Sequence, residues 1–411
     1  MRTSLALLCV LAAGLVEAAQ PPSAPPATPA TPAAARAVQV EAVVADRRGE
    51  RVRGLTAADF RLLVDGQEVP AEGFAEVPEP AGRSFLVFID ESFALAGYRD
   101  EVLRNLESQL SLLGPADRMA IVAFDGRGLE LLSDWTGDRD ALRLVLTRAK
   151  ARSTAGDSIL TLRRSLARDP LPVRRIEMGV GSAVETSPYP SQSDGPHVRM
   201  RALLLPEMTK AIAATAAAMR EMPVPSGRKV MILLSGGWPF PEPWMIANDP
   251  FRATPIGFSS TDPRELFVPI VETANLLGYT LYPVEVHGTD PNVFAADTKR
   301  IVTAASTNNS LSTTGWETGV QDALEYMARE TGGQALLDDD RLQALARADA
   351  DTRTYYQLGF TPSWRADDKR HKIRVELRRR GLSVRSRTGF SDLSDKSEAA
   401  RKAESLLLWE K

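Results

Sequence analysis

One cysteine, Cys9, and three histidines, His197, His287 and His371, are all that 411 residues offer of the side chains most used in metal and nucleophile chemistry. Cys9 lies in an N-terminal apolar stretch and lacks the small residue expected just before a lipid-modified cysteine. Once that stretch is cleaved no thiol remains, which excludes disulfides, a cysteine nucleophile and thiolate-bound zinc and leaves stability to packing. The histidines are isolated, with no H-E-x-x-H pair, and neither a G-x-S-x-G elbow nor a phosphate-cradling loop occurs. Gly179-Val180-Gly181 lacks the third glycine and the strand-turn-helix setting of a dinucleotide site. Excess charge is missing too. A net charge of -3 is too near neutral to point to nucleic acid or an anionic membrane as partner.

What the N-terminus does contain is Arg2, an apolar run from Leu5 to Val16, and small residues at Val16-Glu17-Ala18. This pattern predicts a secretory signal over residues 1–18, because the run is too short to span a bilayer. The expected location is outside the cytoplasm: periplasmic, cell-surface or secreted, with no transmembrane span after cleavage. Residues 19–36 are rich in proline and alanine without apolar periodicity and predict an extended linker. With 44% hydrophobic residues, the remainder can bury a sizeable core and more than one compact unit.

Phe85 to Ile89 is an unbroken apolar run that ends in Asp90 and small polar residues. It reads as a strand buried on both faces whose carboxyl end opens into a polar loop, the place where open α/β sheets put ligand sites. Strand-like and helix-like segments then alternate as far as Thr352, including apolar runs at Met119 to Phe124, Lys229 to Ser235 and Thr280 to Val286. A short strand is expected at Gln334 to Leu337. Such alternation predicts a largely parallel sheet covered by helices on both faces. Both ends of the chain read as β-structure instead: Val38 to Val44 alternates, Asp65-Gly66 marks a hairpin between Phe60–Val64 and Gln67–Ala71, and Ile373, Val375 and Leu377 alternate with charged residues. Neither end has enough strands to be stable alone, so together they predict one small β-sandwich. The expected division is residues 37–80 and 353–391 for the sandwich, 81–352 for the α/β domain and 392–411 for a C-terminal tail. Three excursions, Asp169 to Arg199, Gly236 to Asp262 and His287 to Glu317, exceed this minimal pattern.

Asp90-Glu91-Ser92-Phe93-Ala94 resembles the D-x-S-x-S loop of von Willebrand factor A (vWA) domains, with Ala94 in place of the second hydroxyl. Gly54-Leu55-Thr56-Ala57-Ala58-Asp59-Phe60, Glu330-Thr331-Gly332-Gly333, Tyr355 to Pro362 and Arg387-Thr388-Gly389-Phe390 extend the resemblance, in order and spacing, to a bacterial family of secreted VWFA-related proteins over about Val38 to Phe390. The resemblance implies a vWA-like, Rossmann-like α/β fold with β-structure at both ends. In vWA domains one carboxylate and two hydroxyls hold a divalent cation that bridges to a partner's carboxylate. Carried over residue by residue, that site falls on Asp90 and Ser92, with Thr154 from the second loop. The third loop departs from the pattern, since Leu234-Ser235-Gly236-Gly237 has no carboxylate where the motif has one. The site is therefore expected to be degenerate, without a cofactor, or at most to hold magnesium or manganese weakly with help from a carboxylate such as Asp249 or Asp262.

Gly237 to Trp244 carries aromatic residues between prolines. Exposed, Trp238, Phe240 and Trp244 would form a partner-binding surface; folded inward, Trp238 and Trp244 would plug the vacated cation site. Both alternatives stay open on the sequence. The basic residues between Lys369 and Arg380 alternate with core positions and predict a solvated face, not a nucleic-acid site. Asp338-Asp339-Asp340 is read as a helix cap in preference to a calcium cluster, and the amphipathic tail Ala399 to Trp409 docks on its own domain or on a partner. The chain is thus expected to be an exported, non-catalytic vWA-like module that recognises a protein partner through the rim of its sheet. An envelope hydrolase assembled by the excursions, or a purely structural surface protein, is the alternative.

Overall fold

Four short strands come first: β1 (Val38–Ala45), β2 (Phe60–Val64), β3 (Gln67–Val69) and β4 (Gly73–Val77). The middle of the chain alternates β5 (Arg83–Asp90), α1 (Ala96–Gln109), β6 (Arg118–Phe124), β7 (Leu129–Thr136), α2 (Arg139–Lys150), α3 (Gly156–Arg168) and α4 (Pro196–Glu221). It continues with β8 (Arg228–Ser235), α5 (Val268–Leu277), β9 (Tyr279–Glu285), α6 (Thr313–Thr331) and α7 (Ala344–Thr352). The end supplies β10 (Tyr355–Phe360), β11 (Arg370–Leu377), β12 (Ser383–Ser386), β13 (Gly389–Ser391) and α8 (Asp395–Leu406). This computed structural model describes residues 37–77, 82–168, 196–239, 262–286, 313–364 and 366–409. The expected signal segment and linker, and most of the three excursions, lie outside the described residues.

The central sheet has the order β7-β6-β5-β8-β9, parallel except for the antiparallel edge strand β7. Every residue of β5 is buried. Alternation along the strands divides the core in two: Leu86, Phe88, Met231 and Leu233 pack under α4, α5 and α6, whereas Phe85, Val87, Ile89, Val230 and Ile232 pack under α1, α2 and α7. A strand covered on both faces needs an apolar residue at every position, hence the continuous runs. This is the α/β architecture that the resemblance implies. Winding reverses between β5 and β8, so the crevice beyond their carboxyl ends lies at Asp90 and Ser235.

Strands from both ends of the chain interleave in two antiparallel sheets, β12-β1-β10-β4 and β13-β11-β2-β3. Their inner faces share one apolar layer, including Val40, Val44, Leu62, Leu358 and Ile373. Asp65 and Gly66 turn the β2–β3 hairpin with φ of 50° and 82°, the left-handed pair that a two-residue turn needs.

Several local expectations are corrected. The strand expected to reach Ala71 stops at Val69, and the unanticipated β4 pairs with β10. Gln334 to Leu337 is not a strand among the described residues; Leu336 alone bridges to Val284. The helix cap expected from Asp338 is not made, since Leu337 holds the cap position without a side-chain bond. The helix of the tail starts at Asp395, ahead of the Ala399 at which the amphipathic stretch is expected to begin, with the Ser394 hydroxyl accepting the Ser397 N–H at 3.3 Å, and the tail docks on its own domain. There the Leu129 N–H donates to the Leu408 carbonyl at 2.7 Å and Trp409 bridges to Leu129 beside the edge strand β7.

Candidate functional site

Asp90 is the last residue of β5, and the loop after it turns sharply enough for the Ala94 N–H to donate to the Asp90 carbonyl at 3.3 Å. That turn folds the carboxylate inward. Its Oδ1 accepts the Ser92 N–H at 3.0 Å and the Ser92 hydroxyl at 2.5 Å. Its Oδ2 accepts the indole N–H of Trp238 at 2.8 Å, and neither Asp90 nor Trp238 keeps any exposed surface. These donors are all neutral. Burial consequently pushes the Asp90 carboxyl up to about 6, with the bonds from Ser92 and Trp238 only partly opposing it.

Trp238 reaches Asp90 because the chain leaves β8 through Gly236. A Cβ on Gly236 would fall 1.9 Å from the Phe93 carbonyl carbon and 2.0 Å from the Ala94 nitrogen, so no other residue fits there. The glycine pair thus does more than omit the motif's carboxylate. It lets the two loops touch, and the indole then joins a cluster with Phe88, Phe93, Leu233 and Phe267. The second loop closes in the same way: a Cβ on Gly156 would lie 2.2 Å from the Ala94 carbonyl oxygen, and the Ala155 N–H donates to the Glu91 carbonyl at 2.9 Å.

Beside Asp90, buried Glu91 ties these loops together. Arg152 grips its carboxylate at 2.7 and 3.0 Å and reaches Glu130 on β7 at 2.7 Å. Fully buried Arg99 lies 3.8 Å from Glu91 and donates to the Lys150 and Arg152 carbonyls. Burial raises the Glu91 carboxyl, against the pull of Arg152. Sequence reading missed Glu91, Arg99 and Arg152; the bonds that join Arg152 to Arg99 and Glu91 span 53 and 61 residues and leave no local spacing to detect. The glycine pair Gly236-Gly237 showed in the sequence only as the loss of the motif's carboxylate, not as the close backbone approach it makes.

Of the residues carried over from the resemblance, the structure brings Asp90 and Ser92 together. Thr154 is half-buried in the neighbouring loop, and among the described residues it makes no hydrogen bond to either. Trp238 cannot serve as an exposed contact: the recognition role named for it gives way to the plug, because its whole side chain is inside the core. Phe240, Trp244 and Asp249 lie outside the described residues. Asp262 is engaged elsewhere, accepting the Arg264 N–H at 3.0 Å and pairing with its guanidinium at 2.8 Å.

These side chains do not fit a divalent cation. Magnesium needs about six oxygens in near-octahedral array at about 2.0–2.1 Å. Here both Asp90 oxygens accept internal donors, the Ser92 hydroxyl points its proton at Asp90, Ala94 has no side-chain oxygen, and Gly236 brings backbone and an indole where the motif has a carboxylate.

No protein-family model matches the chain, and no curated protein matches it. Among solved structures it is similar to an aerotolerance-related membrane protein from Bacteroides fragilis, at 10% identity over 65% of this chain and 97% of that one, with a TM-score of 0.31. The vWF domain of the pilus tip protein Mfa5 from Porphyromonas gingivalis covers 56% of this chain and 99% of its own at 12% identity and a TM-score of 0.26. A von Willebrand factor type A protein from Catenulispora acidiphila covers 83% and 75% at 10% identity and a TM-score of 0.23. At these scores the likenesses carry no argument, and the fold stands on its own strand order and register.

Proposed function

We propose that the chain is an exported, non-catalytic protein-binding module of vWA-like architecture that recognises its partner without a bridging cation. The observation that carries this reading is the indole N–H of Trp238 on the carboxylate of Asp90, with both groups fully buried. A partner carboxylate bridged through a metal would need an open position at Asp90, and opening one means exposing that indole at a cost of about 2–3 kcal/mol in lost burial alone. Recognition is therefore assigned to the side chains around the carboxyl ends of β5, β8 and β9, together with Phe240 and Trp244 of the sequence that follows β8. Export rests on the N-terminal pattern of Arg2, the Leu5–Val16 run and Ala18. The absence of a recognisable nucleophile, metal-binding or phosphate-binding motif in the sequence favours binding over catalysis.

The test immobilises the protein lacking residues 1–36 and measures saturable capture of envelope proteins in EDTA and in excess magnesium. Equal capture in both, lost when Phe240 and Trp244 are changed to alanine in a protein of unaltered unfolding temperature, is the expected result. Capture that requires magnesium would overturn the reading.

A further inference from the structure

β7 is an edge of the central sheet, and the tail has begun to add to it as a strand. The Leu129 N–H points away from β6 and donates to the Leu408 carbonyl at 2.7 Å, and Trp409 pairs with Leu129 in a parallel bridge. Glu130 and Leu131 continue in regular register opposite Ala123 and Val122 of β6. Alternate residues of a strand aim their N–H groups to the same side, so the Leu131 N–H points outward as well. Beyond Leu129, no backbone-to-backbone bond leaves the outer side of β7 among the described residues, and Leu131 is 44% exposed.

The tail's apolar hold on this edge is concentrated in two residues. Within α8 only Ser405 is buried, and the helix is fixed by polar contacts: Arg401 with Glu272 on α5 at 3.1 Å, and Arg220 on α4 with the Ser405 hydroxyl at 3.3 Å. Water replaces such contacts at little cost. Leu406 and Leu407 are 55% and 86% exposed, so contact with the core falls to Leu408 and Trp409, which pack on the apolar cluster that holds Leu129. Even there the fit is incomplete, since the indole N–H of Trp409 is buried without a hydrogen-bond partner among the described residues. A sheet edge with unpaired backbone groups, capped by so small an anchor, is open to exchange.

We propose that the outer edge of β7 is a strand-addition site, capped within the chain by Leu408-Trp409 and taken by an extended segment of a partner protein. The tail shows what that segment must carry: an aliphatic residue followed by an aromatic one, on a chain running parallel to β7. Backbone bonds to the edge supply affinity in such pairing, and the side chains supply selectivity. A helix does not serve, because its backbone groups are already bonded internally. The tail of a second copy would offer only the contacts already made within one chain, with nothing gained to offset the cost of association. The cap also lowers the apparent affinity for any partner by the fraction of molecules whose edge is free.

The probe is a fluorescein-labelled peptide with the sequence of residues 404–411, read by anisotropy. It is titrated with the full chain and with a full chain carrying Leu408→Asp and Trp409→Asp, which frees the edge without removing α8. The variant should bind the peptide at least about tenfold more tightly than the wild-type chain does. Leu131→Pro, added to that variant, deletes an outward N–H without touching the ladder to β6 and should weaken the peptide by at least about tenfold. Where proline unsettles the fold, a peptide N-methylated at the residue after its tryptophan makes the same test, because a parallel bridge aims that N–H at the edge strand. Equal binding to both chains, undiminished binding of the methylated peptide, or no saturable binding at millimolar peptide would each overturn the proposal. A wild-type dimer in ultracentrifugation that Leu408→Asp with Trp409→Asp abolishes would also overturn it, by assigning the edge to a second copy's tail.

Discussion

Two carboxylates are buried at opposite ends of the central strand, and they are held in opposite ways. At the amino end Asp117 meets Arg83 at 2.6 Å and also accepts the Arg83 and Gly114 N–H groups, at 2.9 and 2.8 Å. At the carboxyl end Asp90 is met by two hydrogen bonds from Ser92 and one from Trp238, with no cationic partner. Burial works to raise both acids. It loses at Asp117, where the guanidinium and backbone donors hold the carboxyl below its usual range, and wins at Asp90, which rises to about 6. Asp117 is thus a structural joint, fixed in its charged form. Asp90, by contrast, sits at the strand end without a counter-charge, one of its oxygens taken up by the protein's own indole.

Breaking the amino-end joint should have the largest effect. Arg83→Met leaves Asp117 and Asp349 buried without their shared cation, and urea unfolding should show a loss of about 3–5 kcal/mol. Trp238→Ala comes next, at about 3 kcal/mol or more from the cavity it opens under the rim. Trp238→Phe keeps most of the volume but strands an Asp90 lone pair, and should cost about 1–3 kcal/mol. A Trp238→Phe loss as large as that of Trp238→Ala would mean that the hydrogen bond, not packing, dominates the contact.

The comparison sharpens with isosteric changes. Asp117→Asn removes the charge that Arg83 needs and should cost about 3 kcal/mol, whereas Asp90→Asn loses an acceptor but also a buried uncompensated charge and should change stability by less than about 1 kcal/mol at pH 7. The pH dependence separates the two acids by sign. Asp90's folded value, about 6, lies above its ordinary 3.8, so between these values the folded state holds a proton that the unfolded chain has released. Stability therefore falls as pH rises through that window, by about 2–3 kcal/mol from this group. Asp117, lowered on folding, contributes stability above its unfolded value that is lost as pH falls through the folded one. Asp90→Asn should flatten the fall between about pH 4 and pH 6 in urea-unfolding profiles, and an unchanged profile would locate the titration elsewhere.

The scaffold was legible in the sequence for a local reason: β5, β8 and β9 are buried on both faces, so each shows as an apolar run. The sandwich strands β1 and β11 showed as alternation. β4 escaped because Gly73-Phe74-Ala75-Glu76-Val77 offers too short and too mixed an alternation to stand out, and its pairing with β10 is decided nearly three hundred residues away. Asp90 and Ser92 were legible as a loop motif at a strand end. The Trp238 contact was only one of two open alternatives, because its 148-residue separation from Asp90 carries no spacing signal. The bidentate grip of Arg152 on Glu91, across 61 residues, gave no signal at all. Local pattern reveals which strand ends in a polar loop; what fills that loop is a tertiary fact.

The most direct measurement is thermal unfolding of the protein lacking residues 1–36 in EDTA and in rising magnesium, manganese and calcium, since a ligand held only by the folded state must raise its unfolding temperature. With Trp238 satisfying Asp90, no cation should shift the wild-type transition. A concentration-dependent rise that Asp90→Ala abolishes would contradict the account, because it would show a cation displacing the indole from the carboxylate.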